Sequence, residues 1–508
     1  MIFDAAPFPS FGGVPVGRGG SNDYMIYNET MKHLLTILLL TFAVSLPAQN
    51  LAGYWEGKIA VSKKDSLTIG LQVDYQGDTL HVELDSPDQF FTGQPVKGLE
   101  IIEDSAISFH VPEFHLIFRG ILSEDGQRIN GTCEQYGTLF ACVLSRGAVR
   151  KQFPRPQTPI PPYPYHTEDI TFKNRAGKYP LILGTLTLPD SAPKALVIFI
   201  SGSGWQDRDE TIFAHKPFAV IADTLTKAGY ATFRYDDLPT AVFRKSTTYD
   251  FVDAVKLILD SLLLRPDLKY VKTGLLGHSE GSLVAFMVAA EDPRVMFTIH
   301  LGGVAQSIDE ILLYQNIALA KASNTLTESQ IEYSTKINKD IYQIIKKSKD
   351  KDQCVAKLEQ YWDKIASQLS EEEKINYNIT PEGKITLMQT FSSPWYFTLF
   401  HIDPIPYLKK VKMPVLAISG EKDLQVEAVA AQKIMRKYLK DKYHYNLNTF
   451  TILQGDNHLL QPCTTGSLEE YGEIETTIDP LALDEIVQWL DFWWQLNHLH
   501  DGVLHIRF

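Results

Sequence analysis

The sequence lacks the clusters of cysteine and histidine that hold structural metal ions. Its four cysteines form no C-x-x-C pair and stand in no His/Cys cluster: Cys133, Cys142, Cys354 and Cys463. Structural zinc sites usually carry such pairs at short, regular spacing. A structural zinc site is therefore not expected in this chain.

Positive charge is also in short supply. The 61 acidic residues outnumber the 48 lysines and arginines, and the formal net charge is −13. Nucleic acids and anionic membrane surfaces attract proteins mainly through an excess of positive charge. The composition therefore argues against both kinds of partner.

The apolar run near the N-terminus is too short to span a bilayer. Residues 34–44 are apolar, a basic start (residues 31–33) precedes them, and small residues (45–49) follow. This layout is typical of a signal peptide, although a buried core helix is the alternative. We predict a signal peptide at 31–48, a misassigned upstream extension at 1–30, and a periplasmic or extracellular protein. Since no cysteine stands near the cleavage site, no stable membrane anchor is expected.

Residues 49–150 have the alternation of a β domain. Apolar and polar residues alternate at period two in 66–73 and 79–84, and Gly, Asp, Pro and Asn separate these runs. The pattern predicts a small antiparallel sandwich or barrel. A hairpin turn at 137–138 would place Cys133 opposite Cys142, so a disulfide and two free thiols are both open.

A proline-rich linker marks a domain boundary. Residues 151–165 contain six prolines, which disfavour both helix and central strand. Strand-like and helix-like runs then alternate, as in a mostly parallel sheet flanked by helices. This pattern covers 166–306 and 400–508. The helical, charged segment 307–399 interrupts it and is predicted to be an inserted cap.

A GHSEG motif lies in the middle of the chain, at residues 277–281. A compact apolar run precedes it and a helix-compatible run follows, which is the strand–turn–helix setting of a nucleophilic serine. Glycines two residues on either side of Ser279 allow strand and helix backbones to approach closely. Ser279 is therefore the candidate nucleophile, and the alternative is an ordinary turn with a capping serine.

A nucleophilic serine needs a base and an acid that orients the base. Asp423 and His458 each follow a predicted buried strand, and open α/β sheets build their sites at the carboxyl ends of strands. We therefore expect Ser279, Asp423 and His458 to converge. The competing acids are Glu421 and Asp456. Further histidines that could approach the site are His215, His300 and His401, whereas His278 is expected to point away from the base.

The negative charge that develops on the substrate needs two backbone N–H donors. One should come from Glu280, directly after the nucleophile. The other should come from the glycine-containing loop 201–205 (SGSGW), with Ser203 favoured over Gly204 or Trp205. Nucleotide binding is a poor alternative for this loop, because it lacks the expected Gly-Lys-Ser/Thr.

These motifs together resemble those of bacterial α/β-hydrolases. More specifically, they resemble those of exported carboxylesterases of the EstD type, close to the serine aminopeptidase-like group. The matching segments are 53–57, 84–89, 201–204, 206–210, 277–281, 393–395, 420–426 and 457–459. The resemblance implies an α/β-hydrolase fold with a helical cap after a small all-β domain. It also implies a catalytic triad of Ser279, Asp423 and His458.

The sequence departs from that family at two places near the expected site. Ser201 and Trp205 stand where such enzymes commonly have His and Pro, and residues 236–239 read DDLP instead of a basic, glycine-containing turn. The shape of the acyl pocket and of that loop is therefore expected to differ.

The combined pattern predicts a serine hydrolase that cleaves a small-molecule ester through an acyl-enzyme, with no metal or organic cofactor. Cap residues 395–397 (WYF) are candidates for an apolar wall. A peptidase using the same triad is an alternative and would need a carboxylate for a free amino group, with Glu280, Asp309 and Glu310 as candidates. A non-catalytic glycan-binding or scaffold protein is a second alternative. Acyl length, alcohol type and oligomeric state are left open.

Overall fold

The computed structural model describes residues 51–503, apart from 61–65, 77–78, 103–104, 113–115, 136–137, 174–180, 325 and 441–446. The described residues form two compact units, one ending at Phe153 and the other beginning at Pro154. The extension and the signal peptide predicted for residues 1–48 lie outside the described residues. None of the helices in the described part is both long and apolar enough to cross a membrane.

The first unit contains a nine-stranded antiparallel sheet. Its strands are β1 (Gly53–Ala60), β2 (Ser66–Gln76), β3 (Thr79–Ser86), β4 (Phe91–Pro95), β5 (Lys97–Ile102), β6 (Ala106–Val111), β7 (Leu116–Leu122), β8 (Arg128–Gln135) and β9 (Thr138–Arg146). The spatial order is β4-β3-β2-β1-β9-β8-β7-β6-β5. The first and last strands therefore pair in the middle, and the two edges, β4 and β5, are consecutive in the chain. This agrees with the predicted antiparallel β architecture.

Alternation along the strands builds the core of this unit. Leu71 and Val73 on β2 are fully buried beside Trp55. The Trp55 indole N–H donates to the Leu51 carbonyl at 2.8 Å, and the Arg146 guanidinium stacks over the ring at 4.2 Å. Trp55 is thus a core residue with its polar atom paired.

The two cysteines of the first unit are diagonal neighbours, which corrects the expected register. Thr138, predicted to be a turn residue, already belongs to β9 and pairs with Gln135. Cys133 therefore lies opposite Phe140, and Cys142 opposite Gly131. Both cysteines are buried free thiols.

The second unit is built on an eight-stranded mixed sheet. Its strands are β10 (His166–Lys173), β11 (Leu181–Leu188), β12 (Leu196–Ile200), β13 (Ala231–Tyr235), β14 (Thr273–His278), β15 (Val295–Leu301), β16 (Val415–Gly420) and β17 (Thr449–Leu453). The order is β10-β11-β13-β12-β14-β15-β16-β17. β10 and β11 are antiparallel, and β13 onward is parallel. All carboxyl ends of the parallel strands therefore lie at one edge.

Helices cover both faces of this sheet. They are α1 (Pro217–Lys227), α2 (Thr240–Phe243), α3 (Thr248–Leu262), α4 (Glu280–Ala289), α11 (Ile405–Lys410), α12 (Ala428–Tyr438), α13 (Leu468–Tyr471) and α14 (Pro480–Val503). Along β12, Ile198 packs in the core with α3 and α4, whereas Val197 and Phe199 pack in the core with α1 and α14. Burial of β12 on both faces explains why residues 195–200 (ALVIFI) form a continuous apolar run.

A helical segment separates β15 from β16. It comprises α5 (Ile308–Ser323), α6 (Glu328–Lys346), α7 (Lys351–Ala366), α8 (Glu371–Asn376), α9 (Pro381–Ser392) and α10 (Pro394–Leu399). Ile341, Leu358, Trp362 and Phe391 give it a buried core of its own. Below, this segment is called the cap.

The end of the proline-rich stretch is held by the second unit. The Arg155 side chain donates to the carbonyls of Phe213, Gly472 and Ile474 at 2.7–3.1 Å. The Gln157 side-chain oxygen Oε1 accepts the Thr477 backbone N–H at 2.6 Å. The stretch from Pro154 onward is therefore part of this unit and is more than a spacer.

Two glycines allow α4 to approach the sheet closely. A Cβ on Gly281 would lie 2.2 Å from the Ile200 carbonyl oxygen, and a Cβ on Gly277 would lie 2.3 Å from the Gly281 carbonyl oxygen. Backbone atoms cannot give way as a flexible side chain can. This close approach places the turn between β14 and α4 at the carboxyl edge of the sheet.

We predict that Gly281→Ala strongly destabilises the protein, because the added methyl group would collide with the β12 backbone. Overpacking of this kind costs about 1–3 kcal/mol or more. Gly455→Ala is the control: Gly455 has φ +82° but open space around a Cβ, so its cost is only about 1–2 kcal/mol of backbone strain. Thermal unfolding measures both, and equal midpoints for the two variants would contradict the prediction.

Candidate active site

Ser279 lies on a strained turn between β14 and α4. Its backbone has φ +51° and ψ −119°, which is unusual for a residue with a side chain. Its N–H donates to the Leu301 carbonyl on β15 at 3.0 Å, which secures the turn against the neighbouring strand. Such strain, of order 1–3 kcal/mol, persists where the surroundings enforce it and is common at active sites.

Asp423 and His458 meet at the same edge of the sheet. Asp423 follows β16, His458 follows β17, and the His458 Nδ1 lies 2.7 Å from the Asp423 Oδ2. Both side chains are almost completely buried. The other carboxylate oxygen accepts the backbone N–H groups of Gln425 and Val426, each at 2.8 Å. The loop after β16 thus fixes the carboxylate, and the carboxylate fixes the imidazole.

The expected site residues surround a cavity of about 300 Å³. Ser279, His458, Ser203 and Glu280 line it, and Asp423 lies behind His458. Two groups of residues give it a mostly apolar lining. The cap contributes Ile308, Ile311, Leu312, Trp395, Tyr396 and Leu399, and a second cluster contributes Ile212, Phe213, Leu459, Leu468 and Tyr471. Phe397 does not line the cavity, although the sequence suggested it.

The loop after β12 comes close to the nucleophile. The Gly202 N–H donates to the buried Glu210 carboxylate at 2.7 Å, and a Cβ on Gly202 would lie 3.3 Å from the Ser279 Cβ. The Gly202 N–H is therefore already used in a hydrogen bond, and the Ser203 N–H is the next backbone donor along the loop. Glu280 begins α4, so its N–H is one of the unpaired donors of a helix N-terminus.

The buried Glu280 carboxylate accepts hydrogen bonds from three donors. They are the Ser203 Oγ at 3.0 Å, the Thr248 Oγ1 at 2.9 Å, and the Trp395 Nε1, which lies 2.9 and 3.1 Å from the two oxygens. Burial raises the pKa of Glu280 above its ordinary value, and these donors offset part of that rise. The carboxylate is therefore occupied by the protein itself.

His278 packs against His458, which corrects the expectation that it points away. The two ring centroids are 4.8 Å apart, and the His278 Nε2 lies 3.3 Å from the His458 carbonyl oxygen. The His278 Nδ1 lies 2.9 Å from Glu210. Burial lowers the pKa of His278, but the Glu210 carboxylate, the His458 carbonyl and the Asp423 charge together more than offset this, and the net shift is upward. His278 thus links the loop after β12 to the base.

The competing candidates are placed elsewhere. The Glu421 carboxylate accepts the Gly455 N–H at 3.1 Å and is not hydrogen-bonded to His458. His215 binds the Tyr471 carbonyl, His300 binds Ser282, and His401 binds the Phe397 carbonyl. None of these three histidines is among the residues that line the cavity.

The two departures from the family pattern contact each other. The half-buried Asp237 carboxylate accepts the Gln206 N–H at 2.7 Å and the Ser201 hydroxyl at 3.3 Å. The Trp205 indole N–H donates to the Leu238 carbonyl at 3.1 Å. Residues 236–239 therefore support the loop that carries Ser203, and the changes in the two segments belong together.

Comparison with known proteins finds a distant esterase relative. No family model matches the chain. The chain is 24% identical to Esterase EstD of Thermotoga maritima over 344 residues, which cover 65% of this chain and 69% of that protein. This weak similarity supports a hydrolase of the esterase kind.

Similar solved structures include a dienelactone hydrolase from Anabaena variabilis, with 17% identity, coverage of 66% of this chain and 98% of that chain, and a TM-score of 0.37. Est1E from Butyrivibrio proteoclasticus has 15% identity, coverage of 65% and 99%, and a TM-score of 0.36. An esterase from Pyrococcus furiosus has 13% identity, coverage of 68% and 100%, and a TM-score of 0.37.

Sequence reasoning missed the role of Glu210. This residue is buried and binds both Gly202 and His278, so it supports the loop and the base together. Its only sequence signal is its place in the segment 206–210 that resembles the esterases. The role of the Glu280 side chain was also missed, because only its backbone N–H and its charge were considered.

Asp456, the second competing acid, is buried beside Asp479. Its carboxylate oxygens have no hydrogen-bond donor among the described residues. Burial, followed by the negative charge of Asp479, raises the pKa of Asp456 to about 7. Asp456 therefore holds a proton in the folded protein at a pH where the unfolded chain has lost it.

We predict that Asp456→Asn stabilises the protein at pH 8 but has little effect at pH 4. The folded pKa is higher than the unfolded value of 3.8, so the stabilising contribution of Asp456 is complete below pH 4 and is lost as the pH rises through 7. Asn does not titrate, and the expected gain at pH 8 is roughly 1–4 kcal/mol.

Thermal unfolding at the two pH values checks this, with the exposed Glu421→Gln as the control. A shift of the Asp456→Asn midpoint that is the same at pH 4 and pH 8 would contradict the assignment.

Proposed function

We propose that this chain is a serine hydrolase that cleaves carboxylic esters through an acyl-enzyme intermediate. The observation that carries the proposal is the 2.7 Å hydrogen bond between Asp423 and His458, because His458 lines the same cavity as the strained Ser279. A buried acid, an oriented imidazole and a serine hydroxyl on a sharp turn are the parts this chemistry requires.

In the proposed reaction, Ser279 attacks the ester carbonyl while His458 takes the serine proton. Asp423 holds the imidazole in the correct tautomer and stabilises its charged form. The N–H groups of Glu280 and Ser203 stabilise the negative charge that develops on the carbonyl oxygen. His458 then protonates the leaving alcohol, and in the second half it activates the water that releases the acid.

The charged groups near the cavity favour an ester over a peptide with a free amino terminus. The carboxylate of Glu280 is engaged by three neutral donors. Asp309 pairs with Lys346 at 2.8 Å, and Glu310 accepts the Ser307 N–H at the start of α5. Each carboxylate that could hold an ammonium group thus already has partners within the protein.

We also propose that the protein is exported and acts on small-molecule esters. The support is the signal-like pattern at residues 31–48, and cleavage after Ala48 would leave a chain that begins at Gln49. Mass spectrometry of the N-terminus of the secreted protein tests this.

We predict that Ser279→Ala abolishes ester hydrolysis, since the nucleophile is removed and loss of such a group costs roughly 10⁶-fold in kcat. Residues 49–508 are tested with nitrophenyl esters and with aminoacyl-nitroanilides, with labelling by a fluorophosphonate probe in parallel. Turnover of the anilides and not of the esters would contradict the esterase proposal and indicate a peptidase. No turnover and no labelling would overturn the hydrolase proposal and favour the binding protein.

We further predict that kcat/KM rises from acetate to butyrate nitrophenyl esters, because the apolar cap residues bury the added methylenes. Burial of one methylene contributes about 0.8 kcal/mol, which corresponds to roughly a fourfold gain. Ile311→Asn, on the cap wall, should reduce the gain, and Val429→Asn, on the exposed surface of α12, should leave it unchanged. A flat or falling profile in the unmodified protein would contradict an apolar acyl site.

A further inference from the structure

The three donors to Glu280 come from three separate elements. Ser203 belongs to the loop after β12, Thr248 is the first residue of α3, and Trp395 belongs to the cap helix α10. The carboxylate itself lies on the first residue of α4, next to the nucleophile. One side chain therefore joins the nucleophile turn, the facing loop, a scaffold helix and the cap.

The bond to Ser203 bears on the two proposed oxyanion donors. Glu280 supplies one donor through its own backbone N–H, and its carboxylate holds the side chain of the residue that supplies the other. The hydrogen bond between the two side chains thus fixes the position of the Ser203 N–H relative to that of the Glu280 N–H. Donors of this kind must lie within a few tenths of an ångström of the productive geometry.

The bond to Trp395 brings the cap into the same arrangement. The cap has a second bond to the site, since the Tyr314 hydroxyl on α5 donates to the Asp423 carbonyl at 2.7 Å. The cap is therefore hydrogen-bonded to the turn that carries Ser279, through Trp395 and Glu280, and to the loop that carries Asp423, through Tyr314.

Burial of the Glu280 carboxylate also lowers the stability of the folded protein. Glu280 is 6% exposed, and its hydrogen-bonding partners are all neutral. A buried carboxylate without a cation loses its hydration, and a well-packed apolar residue at such a position would often be more stable. A buried group that is expensive for stability indicates a role beyond packing.

We propose that Glu280 is a positioning residue whose side chain aligns the loop after β12 through its hydrogen bond with Ser203. Through its hydrogen bond with Trp395, the same side chain couples this alignment to the position of the cap. This inference rests on the proposed function. It assigns the side chain of Glu280 to the alignment of the site and not to the binding of a substrate amino group.

The central test is Glu280→Gln, which keeps the backbone N–H and the shape of the side chain. An amide has one acceptor oxygen and a donor nitrogen, so it cannot accept from all three partners. With nitrophenyl acetate, a substrate too short to depend on the cap wall, we expect kcat to fall about 10- to 100-fold with KM changed less than about threefold. Loss of a complete oxyanion donor costs roughly 10²–10³ in kcat, and misalignment costs part of that.

Ser203→Ala removes the loop bond without a change in the carboxylate. We expect it to lower kcat in the same way. The double variant, Glu280→Gln with Ser203→Ala, should be no slower than the slower single variant, because both changes act on the same hydrogen bond between Ser203 and Glu280. Ser282→Ala is the matched control: it removes a buried hydrogen bond, to His300, from the same helix but outside the cavity. It should lower the unfolding midpoint and leave kcat unchanged.

Trp395→Phe tests the coupling to the cap. It keeps the aromatic packing and removes the indole N–H, so kcat for the acetate ester should fall about 3- to 10-fold. An effect confined to the KM of longer esters would overturn the coupling to the cap.

Binding of an alkyl trifluoromethyl ketone separates alignment from stability, because its adduct with serine carries an oxygen in the oxyanion position. Its inhibition constant should weaken in Glu280→Gln and Ser203→Ala in parallel with kcat/KM. Unchanged kcat and inhibition, with only a lower unfolding midpoint, would overturn the inference. An unmodified protein that neither turns over esters nor reacts with the fluorophosphonate would overturn the proposed function itself.

Discussion

The hydrogen bond between Asp423 and His458 depends on how two strands are paired. β16 and β17 are parallel neighbours, and Gly420 pairs with Leu453, so the loops that follow them leave the sheet side by side. A Cβ on Gly420 would lie 2.2 Å from the Asp456 carbonyl oxygen, which shows how closely these loops pass. Two residues that are 35 positions apart in the chain can therefore bond in a buried place. A shift in this pairing would separate the acid from the base.

Much of this arrangement could be predicted from the sequence. The sequence predicts strands at 181–188 and 295–301, and these are the bounds of β11 and β15. Turn-forming residues, Pro189-Asp190 and Gly302-Gly303, follow the two strands. The convergence of Ser279, Asp423 and His458 in one place followed from their positions after strands. β10 was missed, since it is an edge strand with mostly exposed side chains and carries little apolar signal.

The buried acids could not be predicted. Glu210 and Glu280 are buried around the site, and the half-buried Asp237 carboxylate holds the loop that carries Ser203. A charged residue is usually at the surface, and its sequence neighbours do not show which distant donors will surround it. The orientation of His278 was missed for a related reason, because it depends on how the turn before α4 meets the loop that contains His458.

The hydrogen bonds of Arg155 have a consequence for where the second unit begins. The sequence pattern predicts a linker at 151–165 and the hydrolase domain from residue 166 onward. Three carbonyls in the loops near the cavity instead take their donor from Arg155. A shortened chain that starts at residue 166 would leave these carbonyls without that donor, whereas one that starts at or before Pro154 would keep it. The second unit thus begins upstream of its first strand.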